Sequence, residues 1–181
     1  MEFKGTITIE TDRLILRKFQ TGDESQMFNN YCNDYRVCEY LSWLPHKSEK
    51  ETLMFLNACC LDKYDTGLTY KWAIVWKENN EVIGSIDVVD IQMGKLKAVL
   101  GYVLGYNYWG KGIMPEAGKA VLEHLFSEGF KRVEAWHNVA NPKSGRVMQK
   151  IGMTHEGTLK SYDMDNQGVL RDMELYAIVR N

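Results

Sequence analysis

The stretch Leu100–Ala117 constrains the fold of this chain more than any other part of it. It begins as an apolar run, passes through Gly110-Lys111-Gly112 and continues with the residue spacing of a helix. Because glycine has no Cβ, the backbone at these two positions can adopt positive φ and approach a ligand closely. A loop that delivers backbone N–H groups to a helix N-terminus suits a phosphate. The stretch therefore predicts strand, loop and helix with a candidate anion site, although a glycine turn without a ligand has the same local pattern.

Hydrophobic spacing along the whole chain predicts the order strand, two or three helices, three antiparallel strands, helix, strand, helix and two strands. The strands at 97–104 and 131–137 flank a helix and are therefore expected to pair in parallel. This order predicts a mixed α/β domain. A ligand crevice is expected at the C-terminal end of strand 97–104, where the chain enters the glycine loop.

Helix boundaries are indicated by capping residues. Ser48-Glu49-Lys50-Glu51 is a capping box that predicts a long helix to about Tyr64, ended by Gly67. Asn141 suits the N-cap of a later helix, and Pro142 suits its first position.

Composition narrows the expected partners and compartment. The 181 residues carry a formal net charge of −2, so direct nucleic-acid binding is not expected. There is no apolar run of membrane-spanning length and no signal-peptide core near the first residue, which favours a cytoplasmic protein without a membrane partner. The four cysteines match neither a C-x-x-C nor a zinc pattern, so free thiols and no metal site are expected.

Two motifs in sequence order carry a resemblance to a known family. Asn107-Tyr108-Trp109-Gly110-Lys111-Gly112 is similar to the coenzyme A motif Q/R-x-x-G-x-G/A of the GNAT (Gcn5-related) N-acetyltransferases. Asn141-Pro142-Lys143-Ser144, followed by Gly152, is similar to the family's next segment, N-x-x-S. Upstream, Tyr40-Leu41-Ser42-Trp43 resembles the substrate-side region of the ribosomal-protein (Rim-type) branch. The similarity runs from roughly Thr11 to the C-terminus.

The resemblance implies a GNAT-like acyl-CoA N-acyltransferase fold over residues 1–181 as a single domain. In this fold a central, mostly antiparallel sheet has one parallel pair of strands splayed for the cofactor. The implied reaction transfers the acetyl group of acetyl-CoA to a primary amine by direct attack in a ternary complex. The acceptor is a protein N-terminus, such as that of a ribosomal protein, or a small amine.

The implied site is assigned residue by residue. The expected cofactor-binding residues are Val103, Leu104, Asn107, Tyr108, Trp109, Gly110, Lys111, Gly112, Ile113, Asn141 and Ser144. Asn141 is expected to bond the cofactor arm, and Ser144 to lie near the sulfur. The acid that protonates the leaving thiolate is Ser144 or a tyrosine, with Tyr106, Tyr108 and Tyr162 as the alternatives. In the family a bulge in the fourth main strand exposes an N–H group to the thioester carbonyl, and Val103 and Leu104 are the matching residues.

The sequence departs from the family pattern at two positions. Asn107 stands where Gln or Arg is usual, and Val99 stands where many relatives have a glutamate that is a candidate base. Glu134 is a candidate replacement that would act through water. His137 has a suitable ordinary pKa, but strand alternation places it on the opposite face from Glu134. Asp87 and Asp90 are further alternatives that could line the acceptor side.

Two alternatives to the enzyme remain open at this point. The first is a catalytically weak acyl-CoA-binding sensor, which would need the same glycine loop. The second is a general interaction protein, which would not bind acetyl-CoA. The oligomeric state is also open, with a homodimer as one alternative.

Overall fold

An eight-stranded sheet forms the centre of the structure, a computed structural model that describes residues 3–65 and 68–180. The strands are β1 (Ile9–Glu10), β2 (Leu14–Arg17), β3 (Lys71–Trp76), β4 (Glu81–Gln92), β5 (Lys97–Leu104), β6 (Arg132–Asn138), β7 (Thr154–Met164) and β8 (Leu170–Val179). Their spatial order is β1-β2-β3-β4-β5-β6-β8-β7. The β5–β6 pair is parallel and the other neighbours are antiparallel, which confirms the predicted mixed α/β class.

Helices cover both faces of the sheet. They are α1 (Glu24–Met27), α2 (Tyr35–Cys38), α3 (Glu49–Leu56), α4 (Asp62–Tyr64), α5 (Ile113–Ser127) and α6 (Pro142–Lys150). The helices α5 and α6 contribute to the larger hydrophobic core, on one face. The segments of α1 to α3 contribute to a second core, on the other face. The buried faces of β3 and β4 are shared between these two cores, because side chains alternate along a strand.

The parallel pair is short, and this creates a gap in the sheet. Its partners are Lys97 with Arg132, Ala98 with Val133 and Val99 with Glu134. Beyond Val99 the two strands continue without pairing to each other, β5 to Leu104 and β6 to Asn138. The strands therefore diverge at their C-terminal ends, which confirms the prediction of a splayed parallel pair.

The helix predicted to run to Tyr64 is interrupted. It begins at the expected Ser48 cap, whose hydroxyl accepts a hydrogen bond from the N–H of Glu51. After α3 the chain makes a π-helical turn at Asn57–Leu61 before α4. The predicted end at Gly67 lies outside the described residues.

The bulge expected at Val103 and Leu104 is not found there, and that prediction is wrong. These residues pair regularly with Ser85 and Gly84 of β4. The irregularity between β4 and β5 lies at Val88–Asp90, where Val89 is the extra residue. Gly101 on β5 makes room for it, since a Cβ at Gly101 would lie 2.8 Å from Cγ1 of Val89.

Candidate active site

The glycine loop lies between the end of β5 and the start of α5. Gly110 and Gly112 have φ of +77° and +75°, in the left-handed region that favours glycine. A Cβ at Gly110 would meet nothing within 4 Å, and one at Gly112 would lie 3.7 Å from Nη2 of Arg13. The loop backbone is therefore open to a ligand. Because α5 begins at Ile113, its first N–H groups have no partner within the helix and form an anion-binding end.

An ion pair from the segment that precedes β2 holds this loop in place. Glu116, in the first turn of α5, accepts hydrogen bonds from Thr11 Oγ1 at 2.6 Å and from Arg13 Nε at 2.7 Å. The Arg13 guanidinium also donates to the carbonyl oxygen of Lys111 at 3.0 Å. Burial opposes the charge of Glu116, but these hydrogen bonds outweigh it and lower the pKa of the carboxyl. The sequence reasoning did not identify this clamp, because its partners are about a hundred residues apart.

The unpaired edge of β5 faces the gap. Gly105 donates its N–H to the carbonyl of Ile83 on the β4 side, at 2.8 Å. Since backbone groups alternate in direction along a strand, the N–H and carbonyl of Leu104 point to the gap side. The carbonyl of Leu104 accepts a hydrogen bond from Trp109 Nε1 at 2.7 Å, which fixes the loop against the strand. The N–H of Leu104 is thus a donor directed into the gap without the bulge that the family pattern implied.

A cleft of about 840 Å³ runs along this gap. Its walls come from α2 and the residues after it, the end of β5, the glycine loop, and α6. The volume lies in the range of small-molecule sites. Ten of the predicted cofactor-binding residues line it: Val103, Leu104, Asn107, Tyr108, Trp109, Gly110, Gly112, Ile113, Asn141 and Ser144.

Lys111 is the predicted residue that does not line the cleft. Its ammonium lies 5.4 Å from the centre of the Tyr108 ring, and its backbone carbonyl is held by Arg13. The cations that line the cleft are instead Arg36 of α2, which is paired with Asp34, and three residues of α6, namely Lys143, Arg146 and Lys150. The spacing of three and four residues places the α6 cations on one helix face, a signal that was present in the sequence.

One wall of the cleft is built on the first turn of α6. Asn141 is its N-cap, since its side-chain oxygen accepts a hydrogen bond from the N–H of Ser144 at 3.4 Å. Pro142 occupies the first position, as predicted. The hydroxyl of Ser144 lies 2.8 Å from the hydroxyl of Tyr102 on β5. Tyr102 also lines the cleft and was not among the predicted site residues, although strand alternation from Leu104 points to it.

Glu134 lies outside the cleft, which does not support its predicted role as the base. It accepts hydrogen bonds from Lys97 Nζ at 2.8 Å and Arg132 Nε at 2.6 Å. Burial opposes ionisation, but these cations outweigh it and lower the pKa of Glu134. It pairs with Val99 before the strands diverge, so it belongs to the closed end of the gap. Asp87 is similarly engaged, with Lys71 Nζ at 2.6 Å.

The histidines offer no base on the cleft either. The ring of His137 is buried below α6, and its Nδ1 lies 2.8 Å from the carbonyl oxygen of Asn138. Its Nε2 is buried without a hydrogen-bond partner. His46 is buried between Trp43 and Phe55, with its Nδ1 2.9 Å from Thr52 Oγ1.

The carboxylate at the cleft comes from a different part of the chain. Among the described residues that line it, Glu39 is the one carboxylate. It follows α2, and its side chain is exposed. The nearby Arg36 is paired with Asp34 at 2.5 Å, and its guanidinium stacks 3.7 Å from the centre of the Tyr106 ring. Glu39 is therefore the carboxylate that is available to a cationic ligand in this cleft.

Comparison with known proteins identifies the family. The model of the acetyltransferase (GNAT) domain matches residues 13–154. The chain belongs to the GNAT acetyltransferase family. This GNAT chain is 28% identical over 177 residues to the uncharacterized N-acetyltransferase p20 of Bacillus licheniformis, with 96% of each chain covered. It is 24% identical over 182 residues to the [ribosomal protein uS5]-alanine N-acetyltransferase of Escherichia coli, covering 95% and 90% of the two chains.

The fold of this GNAT chain is also found among solved structures. RimL, a ribosomal L7/L12 alpha-N-protein acetyltransferase in complex with coenzyme A, superposes with a TM-score of 0.83 at 23% identity. The match covers 96% of this chain and 98% of that one. Together with the family model, it confirms the predicted GNAT-like fold and the resemblance on which it was based.

Three further features of the described residues concern membrane spans, metal ligands and cysteines. In the ranges 3–65 and 68–180 no helix has both the length and the apolarity needed to cross a membrane. The same ranges contain no group of three or more His, Cys, Asp or Glu side chains that could hold a metal ion. The four cysteines are free thiols, as expected.

Proposed function

We propose that this protein transfers the acetyl group of acetyl-CoA to a primary amine, with residues 1–181 acting as a single GNAT-type domain. The observation that carries the proposal is the cleft at the splayed β5–β6 pair, which contains ten of the predicted cofactor-binding residues. Coenzyme A is bound to RimL, a protein of the same fold. When bound, acetyl-CoA supplies an activated acyl group as a thioester.

Different parts of the cleft suit different parts of acetyl-CoA. The loop at Gly110 and Gly112 and the N-terminus of α5 suit the pyrophosphate, because they combine free N–H groups with the positive end of a helix dipole. Lys143, Arg146 and Lys150 add positive charge on the opposite wall. The free edge of β5 suits the extended pantetheine arm, since it offers unpaired backbone groups as an added strand would need.

At the thioester end of the proposed co-substrate, residues of this chain supply the hydrogen-bond donor and the acid. The N–H of Leu104 is positioned to donate to the thioester oxygen as negative charge develops there. Ser144 is positioned to protonate the leaving sulfur. Asn141, whose side-chain oxygen caps α6, retains its amide N–H groups for the cofactor arm.

The acceptor is proposed to enter from the α2 side of the cleft, where Glu39 lies. A carboxylate there attracts the ammonium form of an amine before it loses its proton. An α-amine has a pKa of about 7.7–8.0 and a lysine side chain about 10.4, so an α-amine needs less help from a base at neutral pH. We therefore favour an α-amine, such as a peptide N-terminus, as the acceptor class. The uS5-alanine relative is consistent with that class.

Thiol release measures the proposed activity. The purified protein is incubated with acetyl-CoA and a panel of short peptides beginning with alanine, serine or methionine, together with spermidine and free amino acids. Release of coenzyme A that depends on the acceptor supports the enzyme. A rise in melting temperature with acetyl-CoA but no release with any acceptor supports the sensor alternative, and no rise at millimolar acetyl-CoA contradicts both.

A further inference from the structure

A tyrosine and a serine meet across the cleft, from opposite sides of the gap. Tyr102 lies on β5, before the strand ends, and Ser144 lies in the first turn of α6. The Tyr102 hydroxyl is 2.8 Å from Ser144 Oγ and 2.9 Å from the Ser144 carbonyl oxygen. Both residues line the cleft. The contact therefore joins β5 to α6 at the wall that the proposed co-substrate contacts.

The protons available to this pair allow two arrangements. Each hydroxyl has one proton, and the carbonyl oxygen can only accept. In the first arrangement Tyr102 donates to the carbonyl and Ser144 donates to Tyr102, so the serine proton points away from the cleft. In the second, Tyr102 donates to Ser144 Oγ, and the serine proton is free to point into the cleft. The positions of the oxygens fit both arrangements.

We propose that Tyr102 is a positioning residue for the transfer, which donates to Ser144 Oγ and directs the serine proton toward the leaving sulfur. This inference rests on the proposed acetyl-transfer function. Serine hydroxyls are very weak acids, so loss of the Ser144 proton needs a donor that stabilises the oxygen as its negative charge grows. A phenol hydroxyl at 2.8 Å is such a donor.

The proposed step balances as follows. The amine nitrogen bonds to the thioester carbonyl carbon, and the C–S bond breaks with its electron pair on sulfur. The nitrogen loses one proton to water, and sulfur receives one proton from Ser144 Oγ. Ser144 then recovers a proton from water. Tyr102 keeps its own proton throughout, so amine and thioester become amide and thiol with no change in the enzyme.

The surroundings of Tyr102 favour a donor that stays protonated. Burial raises the pKa of its phenol well above the ordinary value. The hydroxyl is therefore present as O–H at any pH at which the enzyme is assayed. The alternative is that the contact only braces β5 against α6. In that case Tyr102→Phe would lower stability and would leave the kcat of the folded enzyme unchanged.

The experiment is a double-mutant cycle on turnover. Tyr102→Phe, Ser144→Ala and the double variant are compared with the wild type, using the peptide acceptor that gives the highest turnover. Tyr102→Phe is expected to lower kcat about 10- to 100-fold, as for loss of a hydrogen bond to a group that becomes charged. The KM for acetyl-CoA is expected to stay within about twofold, because the phenol acts in the step and not in binding. In the Ser144→Ala background the same change is expected to have almost no further effect on kcat.

Tyr64→Phe is the matched control. The Tyr64 hydroxyl also makes two hydrogen bonds, from the N–H of Phe19 at 2.9 Å and to the carbonyl of Lys71 at 2.7 Å, outside the cleft lining. This variant is expected to lose stability and keep its kcat. Thermal unfolding of all variants separates the loss of fold from the loss of turnover.

A second readout needs neither acceptor nor acetyl-CoA. In protein with ¹³C-labelled tyrosine, the ring resonance of Tyr102 is expected to shift in Ser144→Ala and to stay unchanged in Ser161→Ala, on the exposed β7 strand. An unchanged kcat in Tyr102→Phe, an equal loss in the Ser144→Ala background, or no shift of this resonance would overturn the inference. A wild type that releases no thiol with any acceptor would instead refute the proposed function.

Discussion

Replacing Gly110 by valine tests whether the glycine loop is a phosphate cradle or only a turn. The expected cost to stability follows from the backbone, since Gly110 has φ of +77° and a Cβ there would meet nothing within 4 Å. A left-handed conformation costs an L-residue roughly 1–2 kcal/mol, and more for a β-branched one. In a protein of this size that corresponds to a fall in melting temperature of about 2–8 °C.

The rise in the KM for acetyl-CoA in Gly110→Val is expected to be larger than backbone strain alone explains. Valine would stand in front of the N–H groups that face the pyrophosphate, and a hydrogen bond to a charged group is worth about 1.5–3 kcal/mol. Losing one or two of them predicts a rise of at least about tenfold in the KM for acetyl-CoA. The KM for the acceptor is expected to change by less than about twofold, because the acceptor is proposed to enter at the α2 end.

Gly168→Val is the matched control for this prediction. Gly168 also has φ of +77° and an open Cβ position, but it lies in the turn between β7 and β8 and does not line the cleft. Both variants are expected to lose a similar amount of stability in thermal unfolding, and Gly110→Val alone is expected to bind acetyl-CoA poorly. Equal changes in the KM for acetyl-CoA in both variants, or equal changes for acetyl-CoA and acceptor in Gly110→Val, would refute the cradle.

Three further predictions concern carboxylates. Glu116→Gln is expected to lose about 1–2 kcal/mol at pH 7 in urea unfolding, and because the folded-state pKa of Glu116 is lowered, the difference from wild type should shrink as the pH falls below the ordinary glutamate value of about 4.3; a difference as large at pH 3 as at pH 7 would contradict this. Glu134→Gln is expected to keep kcat within about twofold, because Lys97 and Arg132 hold Glu134 outside the cleft. A fall in kcat of more than about tenfold would restore Glu134 as a candidate base. Glu39→Gln is expected to raise the KM of the amine acceptor about three- to tenfold and to leave the KM for acetyl-CoA unchanged. The control Asp62→Asn, on α4, should change neither KM. An unchanged acceptor KM in Glu39→Gln would remove Glu39 from the acceptor site.

Much of the cofactor side was predictable because its signals are local. The strand, the two glycines and the helix of Leu100–Ala117 follow one another within eighteen residues, and backbone conformation decides where they point. Asn141 and Pro142 are similarly local, and both occupy the predicted helix positions. Each of these residues acts mainly through its own segment, so its neighbours in sequence are sufficient to place it.

The errors arose where a residue's role depends on distant partners. Glu134 has the chemistry of a base, but its partners Lys97 and Arg132 and the position of the splay decide that it lies at the closed end. Glu39 has no motif at all and becomes relevant because α2 folds against the cleft.

The sequence by itself determined the family, the order of elements and the position of the glycine loop, because hydrophobic period, capping residues and glycine placement act over a few residues at a time. Only the tertiary structure decided which side chains share the cleft. It clamps the loop through Arg13 and Glu116, brings Tyr102 to Ser144 and leaves Lys111 outside the lining. These contacts join segments from forty to more than a hundred residues apart, and only the packing of the two helical layers on one sheet sets their distances.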